Sequence, residues 1–89
     1  WATRINPKKP KYWAYLSIAL TKVPKRLKQA EEAILEAIKL DPFNSNYYVN
    51  LGDIYLKAGL KKRAKRQFEK ALQLDPHNKK AIEGLKETK

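Results

Sequence analysis

Residues 48–76 read YVNLGDIYLKAGLKKRAKRQFEKALQLDP, and two helices joined by one tight turn account for the order of residue types. Tyr48, Leu51, Gly52 and Tyr55 stand at i, i+3, i+4 and i+7, one stripe of an amphipathic helix. Ala58-Gly59 ends that helix, because glycine takes the left-handed conformation of a helix C-terminus without a Cβ clash. A second stripe follows at Leu60, Ala64, Phe68, Ala71, Leu72 and Leu74. Pro76 stops it, since proline has no N–H to donate and its ring collides with the preceding turn.

Working outward from this stretch, the same order recurs. Ile5-Asn6-Pro7, Leu40-Asp41-Pro42 and Leu74-Asp75-Pro76 share one form, with the prolines 35 and 34 residues apart. Five residues before each proline stands an alanine (Ala2, Ala37, Ala71), and six after each a large apolar residue (Trp13, Tyr48, Ile82). The upstream unit carries its stripes at Trp13, Leu16, Ser17 and Leu20, then Leu27, Ala30, Ile34, Ala37, Ile38 and Leu40. One extra residue between Leu20 and Ala30 implies a longer turn around Val23-Pro24, and the first turn of a helix tolerates that proline. Gly52 and Ala64, like Ser17 and Ala30, are small where two antiparallel helices must approach closely.

The expected division is therefore as follows. Residues 1–9 are the tail of a preceding repeat and its turn. Residues 10–44 form one repeat, with helices at about 10–22 and 25–40, and residues 45–77 another, with helices at about 45–58 and 61–74. Residues 78–89 form a C-terminal capping helix, started by Asn78 as N-cap and facing Ile82 and Leu85 inward. A chain that opens with Trp1 in the register of a helix's last turn is expected to be a fragment of a longer protein.

The pattern Tyr48-x2-Leu51-Gly52-x2-Tyr55-x8-Ala64-x3-Phe68-x2-Ala71-x4-Pro76 resembles a complete tetratricopeptide repeat, and residues 13–42 resemble a looser one. The resemblance implies an all-α fold, an α-solenoid of antiparallel helix hairpins with right-handed superhelical stacking. It also implies a protein–protein interaction module whose first helices line a concave groove that receives a peptide or a helical segment. After the packing positions are set aside, the groove residues are Lys11, Ala14, Tyr15, Ile18, Asn46, Val49, Asn50, Asp53 and Lys80. Asn50 leads them, because its side-chain amide can donate to and accept from a peptide backbone at once. One subclass of the family clamps the C-terminal carboxylate of chaperones with lysines, asparagines and an arginine. Asn50 and Lys80 match two of those places, but Ala14, Ile18 and Gly84 occupy the others, so a two-carboxylate clamp is incomplete.

Composition narrows the function further. Among the 89 residues there is no cysteine and a single histidine, His77, which removes disulfides, thiol catalysis and His-rich metal sites; no cofactor is expected. No nucleophile–base pair or Gly-rich phosphate loop is present, so the chain is not read as an enzyme. No apolar run reaches the ~20 residues of a membrane span, and the expected location is cytoplasmic.

Twenty Lys and Arg against nine Asp and Glu give a net charge of +11. Most of it falls at two places, Lys22, Lys25, Arg26 and Lys28, and Lys57, Lys61, Lys62, Arg63, Lys65 and Arg66, with no acid inside either segment. Both are turns between the helices of a hairpin, and stacked hairpins set equivalent turns side by side as one basic ridge facing acidic partners. Cations at a helix start oppose the macrodipole, so helix stability did not choose this arrangement. Two other readings compete with a peptide-binding module: electrostatic binding of nucleic acid or an anionic surface, and a purely structural end of a solenoid. No aromatic residue is interleaved with the basic ones to stack bases. Self-association through the N-terminal side, around Tyr12 and Trp13, is a further expectation.

Overall fold

A computed structural model describes residues 9–88; the preceding-repeat turn expected through Pro7 lies outside the described residues. The chain forms five helices, α1 (Pro10–Thr21), α2 (Leu27–Leu40), α3 (Ser45–Lys57), α4 (Lys61–Leu74) and α5 (Lys79–Glu87), and no strand among the described residues. A short 3-10 turn, Pro24–Arg26, leads into α2. α1 pairs with α2 and α3 with α4 as antiparallel hairpins; α3 also packs on α2, and α5 on α4 and α3, giving a body of 43 × 28 × 17 Å.

Two corners with one conformation set this stack. At Asp41-Pro42-Phe43-Asn44 the aspartate (φ −145°) donates its N–H to the Ala37 carbonyl oxygen at 2.9 Å. Asp75 in Asp75-Pro76-His77-Asn78 has the same φ and donates to Ala71 at 2.8 Å. In each corner the closing asparagine donates its N–H to the aspartate carbonyl, at 3.4 Å for Asn44 and 3.1 Å for Asn78. That asparagine then caps the next helix through Oδ1, accepting from the N–H of Asn46 at 3.1 Å or of Ala81 at 3.3 Å. The repeated Leu-Asp-Pro-x-Asn is thus a helix stop, a turn and a helix start within five residues.

The turns inside the hairpins differ from each other, as the extra residue required. Gly59 (φ 79°) donates to the Leu56 carbonyl at 3.0 Å, and Leu60 N–H reaches back to Tyr55 at 2.8 Å, the paired bonds of a Schellman cap. In the first hairpin, Val23 N–H donates to Leu20 at 3.0 Å and Arg26 N–H to Val23 at 2.9 Å, so a 3-10 turn does the work of the glycine.

The small residues stand where the helices touch. Ser17 and Ala30 are fully buried, and Ser17 Oγ donates to the Ala30 carbonyl oxygen at 2.8 Å, so the hydroxyl is satisfied without a water. In the second hairpin Gly52 lies flat on the buried Phe68 ring; a Cβ there would come within 2.6 Å of it. Ile34, Tyr47, Leu51 and Ile54 centre one apolar cluster, and Val49, Ala64, Phe68 and Ala81 the other, with Tyr55 packed against both.

One inward expectation needs correction. Ile82 is 39% exposed, while Ala81 and Gly84 carry the buried face of α5 beside the half-buried Leu85. Gly84 lets α5 approach the Phe68 ring as well, and a Cβ there would come within 2.4 Å of it. Ile82 holds the place of Tyr48, which packs in the second cluster beside residues of its partner α4, and α5 has no such partner helix among the described residues.

Candidate functional site

The first helices of the two hairpins and α5 expose a stripe each to one side of the stack. Ile18, Thr21 and Lys22 of and just after α1, Asn50, Asp53, Leu56 and Lys57 of α3, and Lys80 and Glu87 of α5 line one groove of about 350 Å³. The helical period explains the set: Ile18 and Lys22 are one turn apart, Asn50, Asp53 and Lys57 stand at i, i+3 and i+7, and Lys80 and Glu87 at i and i+7.

The structure brings together Ile18, Asn50, Asp53 and Lys80 of the expected groove residues. Lys11 and Tyr15 (67% exposed) are on the surface but outside that groove, and Asn46 is tied down, its Oδ1 accepting from Asn78 Nδ2 at 3.1 Å. Val49 is a correction: at 2% exposure its side chain is core, packed in the cluster of Phe68 and Ala81, and offers a ligand nothing. Ala14 is likewise buried, in the cluster of Ile34 and Leu51. Thr21, Leu56 and Glu87 line the groove without having been expected there. Lys22 and Lys57, assigned to the basic turns, sit at its edge as well, one helical step beyond Ile18 and Asp53. Extending each stripe by one turn would have found them.

The groove is polar at its walls and apolar between Ile18 and Leu56. Its charges are mixed, three lysines facing two acids. Asp53 is exposed as a residue, but partial desolvation of its carboxyl in the groove, and then the Glu87 carboxylate, push it above its ordinary value of 3.8, while Lys57 and Lys80 pull it back. A carboxyl that binds its proton more tightly in the folded chain favours folding below 3.8, and that advantage is lost as pH rises through the raised folded value. Asp53→Asn is therefore expected to raise the urea midpoint at neutral pH and to leave it unchanged well below pH 3.8. An equal gain at both pH values would contradict this account.

The two hairpin turns meet elsewhere. Lys28 and Arg63, one from each basic segment, border a second cleft of about 240 Å³ lined also by Leu27, Glu31, Ile54, Tyr55 and Leu60. All ten basic side chains of the turns are exposed. Among the described residues no group of His, Cys, Asp and Glu could hold a metal ion, and no helix is long and apolar enough to cross a membrane.

These features have counterparts in known proteins. The family model described as tetratricopeptide repeat matches residues 45–78, the second hairpin and its corner. The second TPR domain of the human RPAP3 protein, solved in complex with the HSP70 peptide SGPTIEEVD, is similar at 29% identity and a TM-score of 0.84. That likeness covers 90% of this chain and 66% of that domain. The Arabidopsis OM64 TPR domain is similar at 26% identity and a TM-score of 0.85, over 94% of this chain and 69% of that one. The chain thus spans about two thirds of the length of either solved domain. No curated protein matches it. One hairpin fits the tetratricopeptide repeat model, the other is built to the same plan, and the two together share the fold of solved tetratricopeptide repeat domains.

Proposed function

We propose that the chain is a protein-interaction module that takes an extended peptide segment in the groove across α1, α3 and α5, with an acidic group of the peptide held beside Asn50. The observation that carries this reading is the arrangement around Asn50: a half-buried amide with Lys22, Lys57 and Lys80 on the surrounding walls and an apolar strip from Ile18 to Leu56 beneath. Lysines at a groove edge supply charge-assisted hydrogen bonds to a carboxylate, and the amide pairs with the peptide backbone. The strip receives one apolar side chain.

The related human RPAP3 domain in complex with a peptide whose last residues read EEVD supports an acidic, extended ligand. Ala14, Ile18 and Gly84 supply no polar side chain here, so the groove fits one anchored carboxylate rather than two. Titration of the chain with fluorescent SGPTIEEVD, and with the same peptide amidated at its C-terminus, tests the reading. Asn50→Ala and Lys80→Ala are each expected to weaken binding about tenfold, the worth of a charge-assisted hydrogen bond, while the helical circular dichroism stays unchanged. Affinity unaltered by both substitutions would reject the groove as the site.

A further inference from the structure

The cleft between the two hairpin turns differs in kind from the groove. Its floor is apolar: Leu27 is half-buried, Ile54 is core, and Leu60 is 42% exposed although it stands between two helices. Lys28 and Arg63 stand at its mouth, and the exposed Lys25, Arg26, Lys61 and Lys62 flank it within a few residues of chain. Glu31 is the acid of the cleft, and its Oε2 accepts the Tyr55 hydroxyl at 2.6 Å, so it is engaged from within the fold. Burial, and then that bond, push the Tyr55 hydroxyl up to about 12, and it remains a donor to Glu31 at every physiological pH. Neither α2 nor α4 has a side-chain cap that occupies its start.

We propose that this cleft is a second docking site, for an acidic protein segment that carries one aliphatic side chain between its carboxylates. The aliphatic group covers Leu27, Ile54 and Leu60, and the carboxylates on either side reach the basic mouth. The apolar floor favours this occupant over nucleic acid. A phosphate chain gains nothing from the leucines of the floor, and the Tyr55 ring is packed against both apolar clusters rather than free to stack a base. This site is independent of the groove reading, because none of its lining residues is shared with the groove.

The test uses the whole 89-residue chain and three probes: a peptide of aspartates and glutamates around a central leucine, the same peptide with serine for leucine, and a single-stranded oligonucleotide. Burying a leucine is expected to make the first peptide bind roughly tenfold more tightly than the second. Arg63→Glu and Lys28→Glu should weaken the leucine peptide at least as much. Both place an acid in the first turn of a helix, where the macrodipole favours it, so unfolding does not explain a loss. Leu60→Ser, which offers α4 a better N-cap, should abolish the preference for leucine over serine. Equal affinity for the two peptides, or an oligonucleotide bound at least as tightly as the leucine peptide, would overturn the proposal.

Discussion

Replacing Phe68 with alanine is expected to remove about 3–5 kcal/mol of stability, the usual loss for emptying a fully buried aromatic site. At roughly 0.05–0.15 kcal/mol per residue the chain has a total stability of about 4–13 kcal/mol, so this one change removes a large fraction of it. The ring is held between two glycines, Gly52 of α3 and Gly84 of α5, whose hypothetical Cβ atoms would come within 2.6 and 2.4 Å of it. Collapse of the site is therefore difficult, since two helix backbones rather than flexible side chains form its walls.

The same geometry reverses an ordinary rule. In a helix interior alanine is favoured over glycine by about 1 kcal/mol, yet Gly84→Ala should destabilise the chain by about 1–3 kcal/mol because the ring has nowhere to move. Combining Gly84→Ala with Phe68→Leu should lose less than the sum of the two changes. Urea unfolding followed by circular dichroism reads all of these, and a stabilised Gly84→Ala variant would show that α5 shifts freely over the ring.

Asn78→Ala should be the next most damaging change, at about 2–3 kcal/mol. The buried side chain does two things at once. Its Oδ1 accepts from the Ala81 N–H, starting α5, and its Nδ2 donates to Ser45 Oγ at 2.9 Å and Asn46 Oδ1 at 3.1 Å, tying that start to the start of α3. Asn78→Asp separates the roles, because it keeps the capping acceptor and loses the donor. It should fall between the parent and the alanine variant. Amide hydrogen exchange of Ala81, Ile82 and Gly84 reports the loosening of α5 directly, and exchange rates unchanged in Asn78→Ala would refute the role given to it. Peptide affinity in the groove should fall with it, as Lys80 and Glu87 are carried on α5.

What the sequence makes legible is the part of the fold written in local chemistry. Proline spacing marks the corners, Gly59 marks a turn, and the small residues Ser17 and Ala30, Gly52 and Ala64 mark close helix contacts. What it hides is that a helix in a stack is buried on more than one side. Of the stripe Tyr48, Leu51 and Tyr55, Tyr48 and Tyr55 pack against the α4 cluster, but Leu51 is buried with Tyr47 and Ile54 in the cluster that α3 shares with α1 and α2. Val49 was assigned to a ligand for the same reason, since its contact is made with Ala81 and Phe68 rather than within one stripe.

Ile82 shows the converse: equivalence by register put it inside, but the neighbour that would cover it is not among the described residues. The bonds from Asn78 to Ser45 and Asn46 span more than thirty residues and follow no periodic pattern, so only the folded chain reveals them. The groove was legible along its central turn, Ile18, Asn50, Asp53 and Lys80, and not at its rim, where Lys22 and Lys57 had been read as turn residues.

Tyr55 packs against both apolar clusters, and that position governs how the molecule loses its order. Each half is assembled from helices adjacent along the chain, and α3 couples them, with Tyr47, Leu51 and Ile54 in one cluster, Val49 in the other and the Tyr55 ring against both. In statistical terms the chain is a two-spin array with a single coupling constant. Its melting is set less by total buried area than by the strength of that coupling, and fraying from one end leaves the other half intact.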